Sequence, residues 1–503
     1  MRAEDRELLR PYVTNLEGPV FALRNLPEEV VAVLFAYYSR SPHGLRENLL
    51  KLLREGDLAL FESPSAEGDS SEALRRAQER ARAFHEKWVI GYGHASVAEH
   101  AVVHLAIEDV SILASKVIED ARLASFTEKS TRYVVFDPER VYALSEHERE
   151  PWYTAYRAFV TRLLRHYHAL LPEAVEQLRR QIPRAPEQSE RAYEVALRAQ
   201  ACDLLRYLLP AATQTNLGMT INARALELLL VKMFSHPLEE VRRLASRIKE
   251  EALKVVPTLV RYADYNPYRA QTPERMAECV RLFVGSPAPE PAHPVVLVEY
   301  DPEAETKLIC AMLYEQCALP YGQLRRLVEG FSPEKRARVI DAYLEGRGRH
   351  DPPLRALEAI TYSFDVLLDF GAYRDLQRHR MMTQLVQAFR PEHGYELPEV
   401  LLEWGWEGRL RPLLEEAALL YARIARTHPH EAAYVLPMAY RRRVLMIANL
   451  RELHHLIALR SSRQGHPSYR RIAQAMYREI ARVHPLLARY IRVDLSEYAL
   501  ARA

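Results

Sequence analysis

One set of motifs is written twice along this chain. Leu209-Pro210 is followed after eleven residues by Asn222-Ala223-Arg224, and far downstream Leu436-Pro437 is followed after eleven residues by Asn449-Leu450-Arg451. Ahead of the first pair lie Gly93-His94-Ala95-Ser96-Val97-Ala98-Glu99-His100 and Ala124-Ser125-Phe126-Thr127-Glu128-Lys129-Ser130-Thr131-Arg132-Tyr133; ahead of the second lies Arg378-His379-Arg380. What one half lacks, the other mostly keeps. Solenoid repeats run roughly 20–50 residues, so a repeat this long is a tandem duplication of a domain with unequal spacing.

Four prolines in Ser286-Pro287-Ala288-Pro289-Glu290-Pro291-Ala292-His293-Pro294 forbid a regular helix and favour an extended linker. The expected organisation is a first domain at 1–265, a linker at 266–294 and a second domain at 295–503. The polar, helical-looking stretch at about 148–190 is an insertion in the first. Each half opens as strand then helix: Val20 to Leu23 before Pro27 to Tyr38, and Val295 to Tyr300 before Pro302 to Cys317. Next, Val103, Leu105 and Ile107 alternate with His104, Ala106 and Glu108, and Ile360, Tyr362, Phe364 and Val366 alternate with Thr361, Ser363 and Asp365. Period two means a strand with one buried face. Helix-compatible runs follow, Ser111 to Leu123 and Leu367 to Thr383, and long helical stretches, Ala211 to Phe234 and Met438 to Ser461, close the halves. The fold class is α+β and helix-rich, each domain a small sheet packed with long helices.

Composition narrows the function classes. Lys+Arg 69 against Asp+Glu 67 leaves +2, which gives no push toward nucleic acid or a membrane surface. Only nine of the basic residues are lysines, and the arginine excess supplies guanidiniums that fork onto phosphate or carboxylate. Cys202, Cys279, Cys310 and Cys317 form no CxxC pair, and MRAEDRELLR is no signal peptide, so a reducing cytoplasm is the expectation. No apolar run approaches the roughly 20 residues that span a bilayer. Nothing in the sequence points to a metal.

Alone, Arg378-His379-Arg380 is weak: among about 60 arginines and 19 histidines such a triplet arises by chance in roughly one sequence in four. Its position after a strand and a helix, and the repeated spacing downstream, give it weight. On these residues the chain resembles the flavin-dependent thymidylate synthases, also called thymidylate synthase-complementing proteins, over approximately 18–265 and 295–490. That family's signature is Arg-His-Arg followed by a Ser and an Arg, an upstream Gly-His-x-Ser-x-x-Glu-His, and a downstream Asn-x-Arg helix ending in an activating Arg.

Carried over by that resemblance, the first half matches at Ser96, Glu99, His100, Glu128, Ser130, Arg132, Tyr133, Arg206, Asn222 and Arg224, but has Asp120-Ala121-Arg122 for Arg-His-Arg and Met233 for the activating Arg. The second half keeps Arg378, His379, Arg380, Arg390, Asn449, Arg451, His455 and Arg460, but has Val386, Ala388 and Ala433 where a Glu, the Ser and a phosphate-side Arg belong. Family sites lie between subunits, so the resemblance implies one composite site per chain. Arg378, His379, Arg380 and Arg460 would come from the second half, and Glu128, Ser130, Arg132 and Arg206 from the first. A reciprocal site would pair Asp120, Ala121 and Met233 with Val386, Ala388 and Ala433, and would lack an anion pocket.

The roles implied are Arg460 as the catalytic group; Arg378, Glu128, Ser130, Arg132 and Arg206 on the nucleotide; and Ser96, Arg378, His379, Arg380, Glu128, Asn222, Arg224, Asn449, Arg451 and His455 on the flavin. Arg132 and Arg206 with the Ser130 hydroxyl suit a dianionic phosphate, and Arg460 suits charge developing on a uracil ring. FAD would be the cofactor, NADPH and methylenetetrahydrofolate the co-substrates, and dUMP the nucleotide. A homodimer of tandem chains would replace four subunits. Two departures favour the alternative, a paralogue that binds flavin or nucleotide without methyl transfer. Asp375 stands where a nucleotide-contacting Gln is usual, and Gln464-Gly465-His466-Pro467-Ser468 breaks the helix the family continues.

Overall fold

The computed structural model describes residues 2–38, 41–54, 95–290 and 293–500; Gly93-His94 of the first motif lies outside them. The chain is α+β and forms two compact units. One comprises Met1–Glu108, Val117–Glu128 and Asn216–Pro287, and the other Asp109–Lys116, Lys129–Thr215 and Ala288–Ala503. Part of the first sequence half therefore belongs to the unit that holds the second half.

In the first unit a three-stranded sheet has the order β1-β3-β2, with β1 Val102–Ser111, β2 Ala124–Glu128 and β3 Gln214–Asn222. β2 runs antiparallel to β3, Ala124 opposite Ile221 and Glu128 opposite Leu217. Val103 and Ile107 are buried, as alternation with His104 and Glu108 requires. Val20 to Leu23 does not make the expected strand: Val20 is 81 % exposed, and the segment contributes a single bridge, Leu23 to Val13. Without a partner ladder to cover it, an apolar run of four gains little from extending.

The second unit holds a four-stranded antiparallel sheet, β4 (Val295–Tyr300), β5 (Thr361–Asp369), β6 (Thr383–Val386) and β7 (Arg441–Asn449), in the order β4-β5-β7-β6. Tyr362, Phe364 and Val366 of β5 lie opposite Ala448, Met446 and Val444 of β7, all buried. Such cross-strand apolar pairs contribute roughly 0.2–1 kcal/mol each beyond Ala pairs. The insertion is largely one helix, Tyr153–Gln181, whose buried stripe of Tyr156, Phe159, Val160, Leu163, Leu164 and Tyr167 keeps the 3.6 period.

The two long closing helices begin as strands. Thr215, Leu217, Met219 and Ile221 are buried in alternation in β3, as are Val444, Met446 and Ala448 in β7, and helices start only at Ala223 and Leu450. Asn222 and Asn449 are consequently not mid-helix residues but N-caps: each carboxamide oxygen accepts from the third following backbone N–H, Ala225 or Glu452, at 2.8 Å. Asn449→Ala is expected to destabilise the second unit by about 1 kcal/mol and Asn449→Asp by less, measured by chemical denaturation. The helices expected at Ser111–Leu123 and Leu367–Thr383 are likewise short, Ile112–Ile118 and Phe370–Leu376. Their strands run on to Ser111 and Asp369, whose side chains cap them, and β2 and β6 begin soon after.

The two Leu-Pro copies meet inside the second unit. Pro210 bridges Pro437 in antiparallel fashion; Ala211 N–H donates to the Leu436 carbonyl at 2.9 Å and Met438 N–H to the Leu209 carbonyl at 3.0 Å. Ala212 to Tyr434 and Ala439 to Tyr207 repeat the exchange, both at 3.0 Å. Equivalent residues thus bond reciprocally, a local two-fold that carries Arg206, just upstream, into contact with residues of the second half. Among the described residues no helix is long and apolar enough to cross a membrane.

Candidate functional site

Arg206 opens a short turn after the helix Glu190–Leu205, one turn beyond Asp203. It is 1 % exposed. Its Nη1 donates to Asp375 Oδ2 at 3.3 Å, whereas Nε and Nη2 have no hydrogen-bond partner among the described residues. Each buried donor left unsatisfied costs about 1–3 kcal/mol, so this guanidinium sits in the protein with unused binding capacity. Space for it depends on Gly371, where a Cβ would lie 3.2 Å from Arg206 Nε and 2.9 Å from Asp369 Oδ1. Gly371→Ala is accordingly expected to destabilise by about 1–3 kcal/mol, read as a shift in the denaturation midpoint.

Arg132 is held on every side. Nε and Nη2 donate to the two Asp203 oxygens at 2.6 and 2.9 Å, Nη1 donates to the Tyr469 hydroxyl at 2.9 Å, and Nη2 also reaches the Gln464 carbonyl at 3.3 Å. Ser130 Oγ accepts from the Arg132 backbone N–H at 3.2 Å. Tyr469 lies near two guanidiniums, its ring 5.8 Å from that of Arg132 and 5.4 Å from that of Arg460. Both contacts are within cation–π range.

Arg460 ends the helix Leu450–Arg460. Its Nε donates to His379 Nε2 at 2.9 Å, and His379 Nδ1 meets Glu452 Oε1 at 2.8 Å. Because Nε2 must accept, the proton sits on Nδ1, and the neutral imidazole bridges a carboxylate to a guanidinium. Burial lowers the His379 pKa and Arg460 adds to the effect, against the opposing pull of Glu452. Arg460 Nη1 also lies 3.9 Å from Asp375 Oδ1. Burial alone would raise the Asp375 carboxyl, but Arg206, Arg132, Arg460 and Arg378 together hold it below the ordinary carboxylate range.

The second unit therefore brings together Arg132 and Arg206 from the first half with Arg378, His379 and Arg460 from the second, around Asp375. Ser130 is adjacent through Arg132. The sequence reading noted Asp375 only as a departure and missed Asp203, Glu452 and Tyr469. Asp203 was findable, three positions before Arg206 and so on the same helical face; Tyr469 carried no signal.

The residues expected on the flavin divide between the units. Asn449, Arg451 and His455 line a cleft of about 370 Å³ in the second unit, where Arg451 Nη1 donates to Glu358 Oε1 and Nε to the Pro353 carbonyl, both at 2.8 Å. Arg380 is partly buried in the same unit. In the first unit Ser96 is exposed on the turn Ala95–Glu99, Arg224 is ion-paired with Glu99, Asn222 caps its helix, and Glu128 is buried at the end of β2. Asp120 pairs there with Lys232, and Met233 is fully buried.

Among the described residues four buried histidines, His379, His454, His466 and His484, give the second unit an acid limit. Burial, then Arg206 and Arg132, hold His466 well below the usual histidine value; burial, then Arg347 and Arg492, push His454 down to about 3; His379 is lowered as well. The unfolded chain takes up these protons near pH 6.5 and the folded chain does not, so the stability they confer is complete above about pH 6.5 and lost as pH falls from there. For His454 alone the expected loss between pH 7 and pH 5 is about 2 kcal/mol, seen as a falling thermal midpoint. A midpoint flat across that range would contradict it.

The family described as thymidylate synthase complementing protein matches residues 58–258 and again residues 296–486. A UPF0159 protein of Chlamydia muridarum is 37 % identical over 517 residues, covering 99 % of this chain and 96 % of the relative. One from Thermoplasma acidophilum is 28 % identical, covering 84 % and 91 %. A flavin-dependent thymidylate synthase of Thermococcus onnurineus is 26 % identical over 203 residues, covering 39 % of this chain and 74 % of that enzyme. Among solved structures, the flavin dependent thymidylate synthase ThyX from Helicobacter pylori complexed with FAD and dUMP aligns with a TM-score of 0.30 and 21 % identity, covering 40 % of this chain and 100 % of that one.

Proposed function

The chain belongs to the thymidylate synthase complementing protein family, and on that premise we propose that it is a flavin-dependent thymidylate synthase-like enzyme that methylates dUMP at one composite site in its second unit. The observation that carries this is that Arg206 and Arg460, one from each sequence half, both contact Asp375, with Arg132 and Arg378 near enough to act on its charge.

The nucleotide phosphate takes the place Asp375 holds at Arg206, whose Nε and Nη2, without partners among the described residues, supply fresh donors, and Ser130 adds a hydroxyl. Arg460, oriented by the Glu452–His379 pair, faces the uracil ring and stabilises negative charge as it develops there. The cleft lined by Asn449, Arg451 and His455 fits the phosphate-bearing part of a flavin nucleotide: arginines line it, and buried His454 Nε2 lacks a partner. Bound flavin supplies the redox chemistry, methylenetetrahydrofolate the carbon and NADPH the hydride. At Asp120 and Met233 the first half supplies an acid already paired with Lys232 and a buried thioether, which supports a single site per chain.

A second reading, a paralogue that binds flavin or nucleotide without methyl transfer, is favoured by Arg132, whose side-chain donors already serve Asp203, Tyr469 and Gln464. Purified flavin-loaded protein incubated with dUMP, methylenetetrahydrofolate and NADPH separates the two. Formation of dTMP supports the enzyme; bound flavin with no dTMP leaves the second reading.

A further inference from the structure

The cleft beside Asn449 has an imbalance of charge that none of the motif residues explains. Arg347, Arg349 and Arg492 line it together with Arg451. Arg451 is neutralised by Glu358, while Glu452 meets the neutral His379 imidazole and keeps its charge. Among the described residues Arg347, Arg349 and Arg492 have no ion pair, and the remaining acid, Asp351, turns one oxygen onto the Gly348 N–H at 2.8 Å.

The guanidiniums are nonetheless positioned. Arg492, from the C-terminal segment, donates to the carbonyls of Arg347 at 3.0 Å, of Gly348 at 2.7 Å, and of Arg349. Arg347 Nη1 lies 3.2 Å from His454 Nδ1, and His454 is 3 % exposed with an unpartnered Nε2. Burial, and then Arg492, push the Arg347 guanidinium below its usual value. Two guanidiniums fixed as neighbours repel, and Asp351 opposes only part of that effect on Arg347; an anion arriving between them removes the penalty. Arg349 is exposed at the rim.

We propose that this cleft binds a diphosphate ester through Arg347, Arg349 and Arg492. A diphosphate presents two charged groups to three guanidiniums, of which Arg347 and Arg492 retain only the N–H bonds not already given to His454, the Asp351 carbonyl and the Arg347–Arg349 carbonyls. The volume of about 370 Å³ lies in the usual range of small-ligand sites. Two sources share this chemistry: the diphosphate of FAD, in which case the inference deepens the flavin reading above and rests on it, and a free nucleoside diphosphate.

The test is calorimetric titration of the full-length protein and its Arg349→Ala variant with inorganic pyrophosphate, ADP and FAD. Among the described residues Arg349 makes no ion pair, so the variant is expected to keep the wild-type thermal midpoint; Arg492→Lys, which retains a donor to the turn, is the second variant. Pyrophosphate and ADP are expected to bind the wild type and to weaken at least tenfold in Arg349→Ala. A matching loss for FAD assigns the diphosphate to the flavin, whereas FAD binding unchanged beside weakened ADP assigns it to a free nucleotide; both uphold the site. Pyrophosphate binding with no flavin binding at all upholds the site while removing the flavin reading. No pyrophosphate or ADP binding at millimolar concentration, or equal binding by wild type and both variants, overturns it.

Discussion

Arg206→Met should lower the stability of the second unit by about 3–5 kcal/mol, the range for stripping one partner from a buried ion pair. The side chains of Arg206 and Asp375 are 2 % and 17 % exposed, so water cannot take over the role of the lost cation. The stranded charge is Asp375, which Arg206 does most to keep ionised against burial. Adding Asp375→Leu to that variant should recover much of the loss, because removing both charges also removes the desolvation penalty. A thermal midpoint lower by several degrees in the single variant and closer to wild type in the double one is the expected pattern. Equal loss in both would mean that Arg206 acts through packing and not through Asp375.

Asp375→Asn should act in the opposite sense on ligand affinity. In the free chain this carboxylate is the anion that Arg206 and Arg460 contact, with the charges of Arg132 and Arg378 near enough to act on it. Its pKa lies below the ordinary carboxylate range, so it stays ionised throughout the neutral pH range and competes with any phosphate for the same donors. Asparagine keeps the shape and removes the competitor. Binding of dUMP should tighten about tenfold, equivalent to about 1.4 kcal/mol, while deoxyuridine, which lacks the phosphate, should gain little. The unliganded variant should also be less stable, since its guanidiniums lose their counter-charge. Equal gains for dUMP and deoxyuridine would place the phosphate elsewhere.

How much of this was legible in the residues depends on whether the signal was local. The α+β class and strands β1 and β5 followed from alternation that burial matches at Val103, Ile107, Tyr362, Phe364 and Val366, though Leu105 is only partly buried and Ser363 is buried as well. The strands β3 and β7 carry the same alternation, but Leu, Met and Ile also suit helices, and helical runs follow directly after Asn222 and Asn449. Reading those asparagines as mid-helix misfits instead of caps concealed both boundaries. The pairing of Arg132 and Arg206 with Arg460 was an expectation from the family resemblance, sharpened by the complementary motif losses of the halves. Its internal wiring was not: Asp203 reaches Arg132 across 71 positions and Tyr469 across 337, and no pattern within one segment encodes such pairings. The arginine cluster of Arg347, Arg349 and Arg492 was equally invisible, because a chain this rich in arginine hides any one group among many.

Binding stoichiometry offers the sharpest test of a shared site built from two incomplete copies. Titration of flavin-loaded, full-length protein with dUMP should give one nucleotide per chain, and Arg132→Ala or Arg460→Ala, one from each half, should each abolish that same event. Two nucleotides per chain, or binding that survives either substitution, would contradict it.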